Sequence, residues 1–212
     1  MPRFARLDVP YIALLAVSFV LALAGSWAAV EIDNIAYDWM FRLYQPKPWQ
    51  PESALLTIDE QSLVELQGLR NIRQPLAKAL ERVAVARPRA VAIDLILAEP
   101  SDAASDDALE RAFRATPNLV LDCRLVDGGA RWEEPLPRFA RWAKGLGHVH
   151  ADPDRLDAVS RAMPLEKQGG RSRHWALSLE ALRLARGVPI TESPDDLQVA
   201  TSSSRRRSRW DG

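Results

Sequence analysis

The chain opens with an uncharged apolar run, Val9 to Val30 (VPYIALLAVSFVLALAGSWAAV), whose pattern predicts a membrane-spanning helix. At a rise of about 1.5 Å per residue it covers roughly 33 Å, enough for a hydrocarbon core of about 30 Å. Arg3 and Arg6 precede the run, whereas Glu31, Asp33 and Asp38 follow it. The positive-inside bias then keeps residues 1–8 cytoplasmic and exports the rest, giving a single-pass inner-membrane anchor with its domain on the periplasmic side. The alternative is a cleaved signal peptide, because the small residues Ala24, Gly25, Ser26, Ala28 and Ala29 close the run. Both readings place the body of the chain outside the cytoplasm. Beyond residue 30, Ile32, Ile35, Ala36, Trp39, Met40 and Leu43 recur at three- and four-residue steps, so the helix continues as a juxtamembrane stripe. Pro46, Pro48 and Pro51 then break it into a linker.

After the linker, short apolar runs alternate with amphipathic ones. Ser53 to Ile58 reads as a first strand ending at Asp59, and Glu60 onward has helical period. Arg73 to Ala86 is an amphipathic helix with Leu76, Leu80, Val83 and Ala84 on one face, stopped by Pro88. Arg89 to Leu97 is a near-continuous apolar strand broken only by Asp94, as expected where helices cover both faces of a sheet. Asp106 to Ala115 is the next helix and Asn118 to Leu125 the third strand. Gly145 to His150 and Ala158 to Lys167 read as further strands, paired antiparallel, and His174 to Arg186 as a helix closed by Gly187. The predicted class is α/β: an N-terminal transmembrane helix continuing into a juxtamembrane helix, then a mixed, mainly parallel sheet with crossover helices over residues 31–190. Residues 191–212, with their arginine run, read as a disordered basic tail.

Composition narrows the function classes. Lysine plus arginine equals aspartate plus glutamate, 28 of each, so no global field attracts nucleic acid. The single cysteine, Cys123, excludes an intrachain disulfide and sits in an apolar run as an inert thiol. No nucleophile elbow, glycine-rich phosphate loop or metal-protease motif occurs, which predicts no catalytic residues, no metal and no cofactor.

Several ordered motifs carry a resemblance. Tyr37-Asp38-Trp39 with Arg42 is followed by Leu55-Leu56-Thr57-Ile58-Asp59-Glu60-Gln61-Ser62-Leu63, by Pro75 to Leu80, by Ala90-Val91-Ala92-Ile93-Asp94 and by Asp106 to Leu109. Gly147-His148-Val149, Val159 to Leu165 and Trp175 to Glu180 complete the series. Together they resemble the second type of CHASE domain, the cyclase- and histidine-kinase-associated sensory extracellular module of bacterial receptors. The resemblance implies a periplasmic sensor of a small ligand or physical signal. It also implies further membrane helices and a cytoplasmic output, for which nothing after Gly187 is apolar enough. A truncated or stand-alone part of a receptor is therefore expected, acting as a homodimer or through a separate cytoplasmic output protein.

Asp59 and Asp94 stand at the carboxyl ends of predicted parallel strands, where open α/β sheets form their ligand crevices. Facing one another, they would hold a cation or a ligand amine; alternatively each caps the element that follows. With Ser62, His148 and Arg161 they make up the candidate ligand-binding residues. His148 and His150 share a strand face, which is suggestive of metal ligation, but a strand end without a further ligand is the plainer reading. Arg161 suits either an acidic ligand or an internal ion pair. Two rival functions stay open: a periplasmic enzyme using Asp59 and Asp94 as acid and base, and a scaffold for envelope complexes.

Overall fold

The helix α1 (Val9–Leu43) runs for 35 residues in the computed structural model, which describes residues 9–44, 52–151, 158–193, 196–199 and 202–205. It belongs to a unit ending at Leu56, and a second unit begins at Thr57. Large apolar side chains stand exposed along α1, among them Leu15, Phe19, Leu23, Ile35 and Trp39. Among the described residues no helix is long and apolar enough to cross a membrane. The membrane-spanning reading of residues 9–30 therefore rests on the sequence alone. The expected cytoplasmic residues 1–8 and the linker prolines 46, 48 and 51 lie outside the described residues.

In chain order the second unit comprises α2 (Glu60–Glu65), α3 (Arg73–Val85), β1 (Val91–Ile93), α4 (Ala103–Ala115), β2 (Leu119–Asp122), β3 (Arg124–Val126), β4 (Arg131–Glu133), α5 (Pro137–Ala140), β5 (Gly145–His148), β6 (Glu166–Gly169), β7 (Ser172–Ala176), α6 (Leu177–Arg186), β8 (Ile190–Glu192), β9 (Asp196–Val199) and β10 (Ser202–Arg205). A five-stranded sheet is ordered β1-β2-β5-β7-β6. The first four strands are parallel, and β6 closes the edge antiparallel to β7. The expected mixed, mainly parallel sheet is present.

Strand β2 is buried along its whole length because helices lie on both its faces. On one face, Ala77 and Leu80 of α3 and Leu109, Ala112 and Phe113 of α4 pack with Ile93, Leu119, Leu121 and Phe139. The Phe113 and Phe139 rings meet edge to face, centroids 5.4 Å apart, the geometry favoured by their quadrupoles. Side chains alternate along a strand, so Val120 and Asp122 face the other way, toward α6. Gly147, the partner of Asp122 across the ladder, lies directly against the first turn of that helix.

Several predicted elements shift. Ser53 to Ile58 forms no strand, and Leu55 and Leu56 are exposed; both edges of β2 are occupied by β1 and β5. Apolarity identified the run but not a pairing partner. Strand β5 is parallel to its neighbours, and residues 158–164 are irregular; the antiparallel pairing belongs to the β6–β7 hairpin, turned at Gly170 with φ +58°. His174 to Ala176 extends β7 because Trp175 is held between Gly147 and Glu166 in the ladder, so α6 starts only at Leu177. It ends as expected at Gly187, whose φ of 67° suits glycine. The expected disordered tail instead carries β8, β9 and β10 in an antiparallel sheet, because Leu197 and Val199 alternate with polar residues and bury against Ala176 and Leu179. Arg206 and Arg207 lie outside the described residues.

Candidate functional site

Asp59 is the N-cap of α2. Its Oδ1 accepts the Ser62 backbone N–H at 2.8 Å and the Ser62 hydroxyl at 2.6 Å. These two bonds, the hydroxyl first, hold the Asp59 carboxyl below the usual range. The capping alternative thus accounts for both Asp59 and Ser62: the short helix leaves its first amides without internal partners, and a carboxylate satisfies one of them.

Asp94 follows β1 directly and is exposed. Its expected partner was Asp59 on a neighbouring strand, but no strand forms there. The strand beside β1 is β2, and because Ile93 pairs with Leu121, the next position along β2 is Asp122. The acid pair at the strand ends is therefore Asp94 and Asp122. Asp122 is only 2% exposed, and its Oδ1 has no hydrogen-bond partner among the described residues. Burial, and secondarily the Asp94 charge, push its carboxyl up to about 7. The Cys123 N–H and the more distant charge of Arg124 offset this only in part. A usable signal lies in the sequence, since Asp122 ends an apolar strand as Asp94 does. Extending that strand to Leu125 concealed it.

His148 lies apart from this pair. The Asp122 and Gly147 positions match across the ladder, so alternation sends Cys123 and His148 to the opposite face. There Trp132 collects all three histidines of the chain, with ring centroids 6.1 Å from His148, 6.1 Å from His150 and 4.7 Å from His174. His148 is fully buried. The His150 Nε2 accepts the Leu125 N–H at 2.7 Å, which assigns a neutral ring protonated on Nδ1 and ties the segment after β5 to β3. The Trp132 indole donates to the Ser172 carbonyl at 3.2 Å, linking β4 to β7. Burial pushes the Cys123 thiol up to about 12, aided by Asp122 and Glu134, so it stays protonated and donates to the Gly147 carbonyl at 3.4 Å. This face is a structural hub. Among the described residues no group of three or more histidine, cysteine or carboxylate side chains is arranged to hold a metal.

Arg161 is partly buried on the irregular segment between β5 and β6. Asp154 and Asp157, the carboxylates that precede it in the chain, lie outside the described residues.

A family model described as CHASE2 domain matches residues 12–209. No curated protein and no solved structure matches the chain.

Proposed function

The chain belongs to the CHASE2 domain family, and from that premise we propose that it is the sensory part of a bacterial receptor anchored in the inner membrane, with its signal site at the Asp94–Asp122 strand ends. The family is one of extracellular sensory domains of signalling receptors. The observation that carries the site is the buried Asp122 carboxyl, whose Oδ1 has no hydrogen-bond partner among the described residues, beside an exposed Asp94, at the position where parallel sheets receive ligands. Exposed apolar side chains along α1, and the absence of charge from residue 9 to 30, support insertion of that helix in a bilayer. A signal occupying the strand ends favours one packing of α6 over the sheet, and α1 conveys the change to a partner, either a second copy or a separate cytoplasmic output protein. The chain itself catalyses no reaction.

Thermal unfolding of the full chain in detergent micelles, against metals, amino acids, sugars and nucleotides, tests this reading. A ligand at a hundred times its Kd adds about 2.7 kcal/mol and raises Tm by several degrees. No shift with any compound overturns the sensory site. A hydrolase is the rival reading, favoured by the unequal environments of the two carboxyls, one buried and one exposed. Turnover of a phosphate ester or glycoside that disappears in Asp94→Asn would establish it instead.

A further inference from the structure

At the end of β2 the fold buries a carboxyl and leaves its charge uncompensated. Among the described residues neither Asp122 nor Asp94 forms an ion pair. Arg124, a cation whose charge reaches Asp122, is already engaged with Glu133 at 2.5 Å. Gly147 on β5 and Leu177 at the start of α6 stand against this face; further along it Arg183 of α6 lies by Gly145 but is engaged with Glu180 at 2.6 Å, and Asp94 on the β1 side adds negative charge. A buried carboxylate without a partner is costly, so it takes up a proton or is met by a cation. Metal ions need more donors than this pair supplies. Ammonium and guanidinium groups instead bring several N–H donors and one positive charge, which two carboxylates match.

We propose that the Asp94–Asp122 pair binds an organic cation, the ammonium or guanidinium head of the sensed ligand, with Asp122 as its buried counter-charge and Asp94 as its outer one. The proposal rests on the sensory reading and specifies its ligand class. The bound cation requires an ionised Asp122, so loading the site expels the proton held there. Affinity rises with pH up to about 7 and is flat above it, falling about tenfold for each unit below.

Isothermal titration of the full chain in detergent micelles, with methylguanidinium and ethylammonium chlorides at millimolar concentration, tests this. The expected result is binding at pH 8, binding about tenfold weaker at pH 6, and release of a proton near neutrality, read by comparing buffers of different ionisation heat. Asp122→Asn should weaken binding at least tenfold, Asp94→Asn less, and Asp122→Glu should restore part of it. Circular dichroism checks that each variant folds. If Asp122→Asn does not fold, the pH dependence and proton release of the unmodified chain decide the matter. No heat from either cation at pH 8, or equal binding by a folded Asp122→Asn, overturns the proposal. Stabilisation by a neutral or anionic compound without any response to the cations leaves the sensory reading standing and removes only the cationic ligand class.

Discussion

Gly147 lies so close to the first turn of α6 that a Cβ on it would come within 2.6 Å of the Leu177 Cα and 2.8 Å of its backbone nitrogen. The obstructing atoms are backbone, which has no rotamer to yield. Gly147→Ala therefore lifts α6 from β5 beside Asp122. Overpacking of this kind costs about 1–3 kcal/mol. Thermal unfolding should show Tm lower by several degrees, and binding at the strand ends should weaken with it.

Arg73 and Asp106 form a buried ion pair between the first turns of α3 and α4. Arg73 also donates to the Glu99 carbonyl and lies over the Phe139 ring, its guanidinium carbon 5.7 Å from the centroid. Arg73→Met leaves Asp106 buried with the Ser101 N–H at 3.2 Å and Arg138 at 3.8 Å in place of its close cation. Removing one partner of a buried pair costs about 3–5 kcal/mol, whereas replacing both by apolar groups costs far less. In urea unfolding, Arg73→Met should be strongly destabilised, and the Arg73→Met, Asp106→Leu double variant should regain most of the loss.

The raised Asp122 carboxyl makes stability depend on pH in a stated direction. Below the unfolded value of 3.8 the group is protonated in both states and costs nothing. Between 3.8 and about 7 the unfolded chain gives up a proton that the folded chain keeps, so this group's contribution to stability declines as pH rises. Above about 7 the loss is complete, on the order of 4 kcal/mol. Asp122→Asn should remove that decline, so its stability relative to the unmodified chain should climb from pH 4 to 7 and then level off. Denaturant midpoints measured across that range check it.

Asp59→Ala removes the cap of α2 and nothing at the strand ends. Tm should fall by a few degrees at most, and the response to cations should be unchanged. A lost response would return Asp59 to the ligand site.

The sequence was most legible where an element is covered on both faces. The β2 region and the helices Arg73–Val85 and Ala103–Ala115 were found because their apolar positions repeat over many residues. The αL cap at Gly187 was found because glycine tolerates that conformation. Pairing was less legible. Nothing local distinguishes Leu55-Leu56, which pairs with nothing described, from Val120-Leu121, which pairs on both sides. For the same reason the strand-end neighbour of Asp94 is not legible in the sequence: it depends on which strand lies beside β1. The strands after Ile190 escaped notice because each buries at most two apolar residues, too few to form a period.

Strand β9 bears on the timing of assembly. Leu197 and Val199 seal the outer side of α6 through Leu179, yet they are among the last described residues to be synthesised. The five strands of the main sheet are made before them, so on a growing chain the sheet precedes its final clasp. The helix over Asp122 is thus fastened late, and its outer contact is a short edge sheet, not the main core. Regions held by few buried contacts open first in a folded protein. Hydrogen exchange should therefore find the amides of residues 190–193 and 196–199 and the first turn of α6 opening together, ahead of β2.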